Sequence, residues 1–143
     1  MNSTKKIDSA ALIQAAIDNQ KHSYAPYSNY NVSAAVLMDS GKIYSGTNVE
    51  NASYPVGICA ERNAISHAVA CGERKIIAIA IVGGANYTHN DFCAPCGMCR
   101  QFIREFGNPK EITVIFAKSV TEFKEMSLEE LLPESFGPAS LKQ

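Results

Sequence analysis

The chain has 143 residues, of which 46% are apolar and 19% charged, with a formal net charge of −1. That length suits one compact domain spanning residues 1–143, and the near-neutral balance, with no long Lys/Arg run, argues against a nucleic-acid partner. No stretch approaches the roughly 20 apolar residues of a membrane helix, and residues 1–8 lack the apolar centre of a signal peptide, so the sequence reads as a soluble cytoplasmic protein with no membrane partner.

In chain order, residues 8–23 read as a helix, with Leu12, Ile13, Ala16 and Ile17 at helical spacing and Asp8 as its N-cap. Pro26 then breaks the pattern inside a loop that holds three tyrosines, Tyr24, Tyr27 and Tyr30. Residues 32–38 and 42–47 read as a strand hairpin closed by Asp39-Ser40-Gly41. A loop over 48–58 leads to a helix over 59–70, stopped near Gly72. Residues 76–82 form a nearly unbroken apolar run, the mark of a strand buried on both faces, with Gly83-Gly84 expected to end it. A loop over 86–95 precedes a helix over 96–106. A strand over 112–117 and a weaker one over 121–126 follow. Ser127-Leu128-Glu129-Glu130 is a capping box for a short helix to Leu132, and the tail over 133–143 has no periodicity. Helices interleaved with apolar strands predict an α/β architecture, a mixed sheet covered by helices on both faces.

The five cysteines, Cys59, Cys71, Cys93, Cys96 and Cys99, are an odd number in an intracellular-looking chain, which favours metal binding or free thiols over disulfides. Cys96 and Cys99 lie one helical turn apart and share a helix face, so one tetrahedral metal can take both sulfurs. Cys59 opens another predicted helix. Two helix N-termini, each carrying about half a positive charge, can thus converge on one ion and favour thiolates. Three protein ligands leave the fourth position of a zinc ion for water, as in catalytic rather than structural sites. Glu61, two residues past Cys59, is placed to take and return that water's proton. Arg62, at i+3 from Cys59, sits on the ligand's face and would offset the surplus negative charge of three thiolates on zinc. Two other readings stay open at this level. Cys93 could complete a closed four-cysteine zinc site, and the Cys96–Cys99 pair could be a redox dithiol. Cys71 reads as a small packing residue.

Cys59-Ala60-Glu61 with Pro95-Cys96-Gly97-Met98-Cys99-Arg100-Gln101 resembles the zinc deaminase superfamily in its three-cysteine branch. The segments 48–54 (Asn-Val-Glu-Asn-Ala-Ser-Tyr) and 136–138 (Phe-Gly-Pro) narrow the resemblance to the small homotetrameric cytidine deaminases, over residues 24–141. The resemblance implies a three-layer α/β/α fold on a five-stranded mixed sheet. It implies one zinc per subunit on Cys59, Cys96 and Cys99, with Glu61 as the proton carrier. Asn48 and Glu50 would bond the ribose hydroxyls, the backbone at Ala60 and Glu61 would meet the base, and Tyr30 would stand where the family usually has a pocket-lining Phe. Phe136 would reach into a neighbouring subunit's site, with Tyr54 near that interface. The implied reaction is hydrolysis of cytidine and 2'-deoxycytidine to the uridine forms with loss of ammonia, in pyrimidine salvage. The family pattern Phe-Pro-Val-Gly is here Tyr30-Asn31-Val32-Ser33, a departure beneath the base.

The residues themselves agree on the kind of substrate. Asn48 and Glu50 alternate on an extended segment and can face one side. An amide beside a carboxylate suits a neutral hydroxylated sugar, whereas Glu50 would repel a 5'-phosphate. Read alone, Asn48 is better taken as a turn cap and Glu50 as solvated surface; the family resemblance reverses that reading.

Overall fold

A computed structural model describes residues 7–141; most of the polar N-terminal segment lies outside the described residues. The first helix, α1 (Ser9–Asn19), is capped by the Asp8 side chain, which accepts a hydrogen bond from the Ala11 N–H at 3.0 Å. A 3-10 turn over Gln20–His22 completes the predicted helical stretch.

Strands β1 (Tyr30–Met38) and β2 (Ile43–Thr47) form the expected hairpin, with Gly41 at φ +90° in its turn. Helix α2 (Ala60–Ala70) leads to β3 (Ile76–Ala85), and α3 (Gly97–Arg104) to β4 (Thr113–Ala117) and β5 (Phe123–Ser127). The capping box at Ser127 starts α4 (Leu128–Leu131), and a last 3-10 turn covers Pro138–Leu141. The five strands make one mixed sheet in the order β2-β1-β3-β4-β5, with only the β3–β4 pair parallel.

Alternation along the central strands divides the core in two. On one face, Leu12, Ile13 and Ala16 of α1 pack on Ala35, Ala78, Ala80 and Val82. On the other, Ala60, Ala64, Ile65 and Ala68 of α2 and Ile103 of α3 cover Val36, Ile79, Ile81, Val114 and Phe116. The central strand β3 is covered on both sides, as its unbroken apolar run requires.

Gly83 and Gly84 do not end β3. The strand runs through them to Ala85, pairing Gly83 with Val32 and Gly84 with Asn31, and β1 correspondingly starts at Tyr30. The glycines answer a close approach of the following loop. A Cβ at position 83 would stand 3.0 Å from Cys93 Sγ, and one at 84 would meet the Thr88 carbonyl.

The other tight approach is at Gly46 on β2, where a Cβ would run into the backbone of Ala64 on α2. This contact sets how closely α2 lies on the sheet, and α2 carries Glu61. Gly46→Ala is therefore expected to lower stability by about 1–3 kcal/mol through overpacking, read as a drop in the urea midpoint; an unchanged midpoint would show that α2 can shift freely.

Candidate active site

The site forms where the ends of β2 and β3 meet the start of β1. The chain leaves β2 through an extended loop, whose Val49 bridges Ile58 and Tyr24, and enters α2 at Cys59. It leaves β3 through a second loop and enters α3 at Cys96. Both cysteines are N-caps with extended backbone (ψ 154° and 169°), and neither side chain caps its own helix. A serine or aspartate in these places would bond back to the first-turn N–H groups; the sulfurs instead point away, toward each other.

Cys59 Sγ and Cys96 Sγ are 4.0 Å apart. With the fully buried Cys99 they form a cluster whose ligand atoms all lie within 4.8 Å of one another. Tetrahedral Zn–S bonds of about 2.3 Å require S···S edges of about 3.8 Å, so the donor set fits one zinc ion with little adjustment. Cys93 is outside the cluster, which removes the closed four-sulfur arrangement, and the residues around the Cys96–Cys99 pair belong to a three-sulfur site rather than an isolated dithiol.

The electrostatics match a cation site. Arg62 Nη2 donates to Cys59 Sγ at 3.6 Å, and its Nε is buried with no hydrogen-bond partner. Hydrogen bonding from Cys99, with Arg62 alongside, brings the Cys59 thiol down to about 5, while Cys99, hydrogen-bonded to that thiolate and buried, is pushed up. Three sulfurs this close cannot all ionise without a cation between them. Glu61, in the first turn of α2, is only 4% exposed, and burial pushes its carboxyl up to about 7. A divalent cation beside it would draw that value back down. Arg100 secures the second loop, donating from Nε to Pro95 O at 2.8 Å and from Nη1 to Leu131 O at 2.9 Å.

A cavity of 310 Å³ opens onto the cluster. Its lining brings Cys59, Ala60, Glu61 and Cys96 together with Asn48 and Glu50, and also includes Val32 and Cys93. Glu50 is held by the tyrosine loop, accepting from the N–H groups of Tyr27 (3.0 Å) and Ser28 (3.2 Å) and from the Ser28 hydroxyl; that hydroxyl holds its carboxyl below the usual range. Tyr54 lines the cavity, is 76% exposed, and meets Tyr27 ring to ring at 5.8 Å. Tyr30 does not line it; burial first, and then the neighbouring Cys93, which does line it, push the Tyr30 phenol up. Phe136 is 60% exposed and does not line the cavity of its own chain; its carbonyl accepts from Gln101 Nε2 at 2.9 Å. The sequence reading did not single out Ser28 or Val32. The loop's return onto Glu50 brings in Ser28, and the pairing of β1 with β3 brings in Val32, which matches the Val of the family pattern over residues 30–33.

The fold and the cluster together define a zinc-binding deaminase. The chain belongs to the family described as the cytidine and deoxycytidylate deaminase zinc-binding region, whose model matches residues 6–116. It is 38% identical over 130 residues to a cytidine deaminase of Halalkalibacterium halodurans, covering 91% of this chain and 95% of that protein. The crystal structure of cytidine deaminase from Burkholderia pseudomallei superposes with TM-score 0.79 at 42% identity, covering 88% of this chain and 97% of that one. That of Mycobacterium tuberculosis gives TM-score 0.79 at 33% identity, covering 92% and 99%. These neighbours share the five-stranded sheet with its helices, and one zinc per chain is the cofactor of the cluster.

Zinc analysis after dialysis distinguishes ligand from neighbour. Cys93→Ser is expected to keep one zinc per chain and Cys99→Ser to lose most of it; loss in Cys93→Ser would return Cys93 to the ligand set.

Proposed function

We propose that this protein deaminates cytidine and 2'-deoxycytidine hydrolytically, yielding the uridine forms and ammonia for pyrimidine salvage in the cytoplasm. The observation that carries this reading is a cavity whose lining holds Cys59 and Cys96 of the three-sulfur cluster and Glu61 together with an amide–carboxylate pair, Asn48 and Glu50. Cys59, Cys96 and Cys99 hold the metal. Zinc, when bound, supplies the Lewis acidity that makes water a competent nucleophile near neutral pH.

The remaining work falls to the protein. Glu61 takes a proton from the attacking water and delivers it to ring N3. The water oxygen bonds to C4, and the C4–N bond then breaks. Glu61 carries the second proton to the departing amine, which leaves as ammonia, so that one water is consumed for each ammonia released. The carboxyl's burial on the first turn of α2 keeps bulk water from competing for these protons. Arg62 balances the charge of the thiolates. The backbone of Ala60 and Glu61 meets the base, and Asn48 and Glu50 take the ribose hydroxyls.

A nucleoside rather than a nucleotide is favoured because Glu50 would face a 5'-phosphate with like charge. Tyr30 is assigned to the base side of the pocket, in the place of the family's lining Phe. Tyr54 and Phe136 are exposed aromatics; we assign them to contacts between subunits of a homotetramer, Phe136 entering the neighbour's site. Among the described residues no helix is long and apolar enough to cross a membrane.

Spectrophotometric turnover of cytidine, 2'-deoxycytidine, deoxycytidylate and adenosine side by side tests the assignment; turnover confined to the last two would overturn it. Glu61→Gln is expected to cost about 10²–10⁴-fold in kcat with zinc retained. For Glu50→Ala a large loss in kcat/KM for cytidine is expected; an unchanged value refutes its ribose role.

A further inference from the structure

A chain of buried polar side chains leads to Asn48 of the cavity lining. Ser23 and Asn31 are 5% and 3% exposed. The loop after β3 takes left-handed backbone at Asn86 (φ 52°) and Tyr87 (φ 63°), and the Tyr87 N–H there donates to Asn31 Oδ1 at 3.0 Å. A backbone N–H can only donate, so this bond fixes which way the Asn31 amide faces. Its Nδ2 therefore donates to Ser23 Oγ at 3.1 Å. The Ser23 oxygen, already accepting, gives its hydrogen to Asn48 Oδ1. Gln20, 3% exposed, locks the same corner by donating to Asn31 O at 3.0 Å and Thr88 O at 2.9 Å.

Asn48 Oδ1 also accepts from the Val32 N–H at 3.0 Å, and its Nδ2 donates to Tyr30 O at 2.8 Å. A side-chain amide has two acceptor sites on oxygen and two N–H donors. Both acceptor sites and one donor are thus used inside the protein, and one N–H remains. Its cavity neighbour Glu50 is an ionised carboxylate and can only accept.

We propose that Ser23 and Asn31 are positioning residues for the sugar site: they fix Asn48 so that it offers the substrate a single N–H donor. The pair Asn48–Glu50 then presents one donor and one acceptor of set polarity to hydroxyls, which can both accept and donate. This rests on the ribose role of Asn48. Ser23 and Asn31 touch no substrate. They act by saturating the Asn48 oxygen, which would otherwise leave a buried lone pair open and the amide less firmly held.

The test compares cytidine with 2',3'-dideoxycytidine, which lacks both hydroxyls, across Ser23→Ala, Ser23→Thr, Asn31→Asp and Asn48→Ala. Ser23→Ala is expected to raise KM for cytidine about five- to thirtyfold, with kcat and zinc content unchanged. The preference for cytidine over the dideoxy nucleoside should shrink by the same factor. Ser23→Thr, which keeps the hydroxyl, should restore it. Asn31→Asp keeps the size but turns the Ser23 hydrogen away from Asn48, and should repeat the loss; it carries the comparison if Ser23→Ala does not fold. An unchanged preference in Ser23→Ala or Asn31→Asp, or an equal loss for both nucleosides, overturns the proposal while Asn48→Ala still lowers the preference. If Asn48→Ala leaves the preference unchanged as well, the ribose role of Asn48 fails with it.

Discussion

Three cysteine sulfurs meet at the N-termini of two helices, and the rest of the site is arranged around that meeting. Neither Cys59 nor Cys96 caps the helix it begins with its side chain, and their sulfurs converge with that of Cys99 instead. Helix ends carry partial positive charge and favour thiolate, and the Arg62 guanidinium adds a full charge beside Cys59. Without a cation the sulfurs divide their protons unevenly, Cys59 low and Cys99 high. A zinc ion resolves that conflict by holding all three as thiolates, and it does so beside a buried carboxyl.

The sheet is the frame that makes this possible. The parallel pair β3–β4 needs a crossover, and α3 supplies it, bringing Cys96 and Cys99 to the end of β3. The connection from β2 to β3 goes through α2, which lies against β2 at Gly46 and brings Cys59 and Glu61 to the same edge. The start of β1 lies between, so the loop before it can fold over Glu50. The placement of the sulfur cluster and of Asn48 and Glu50 is therefore set by one register, that of β1 against β2 and β3.

Much of this was legible in the sequence where the cause is local. The Asp8 cap, the hairpin turn at Gly41 and the capping box at Ser127 depend on residues within a few positions and stand where expected. The metal site was legible because ligand spacing on a helix is itself local, and family motifs supplied its partners. What depends on distant backbone was not. Gly83 and Gly84 look like a strand stop, yet they exist to admit Cys93 and Thr88 from the following loop. Asn31 shows only as a departure from a family pattern; its bonds to Tyr87 and Ser23 require the folded sheet. Tyr54 and Phe136 are exposed on the single chain, so the packing of this chain alone leaves the reason for these aromatics unexplained.

The most direct test of the account is X-ray absorption at the zinc edge of the purified protein. The account predicts three sulfur neighbours at about 2.3 Å and one lighter oxygen neighbour. Four sulfurs around the ion, or an active preparation with no zinc, would contradict it.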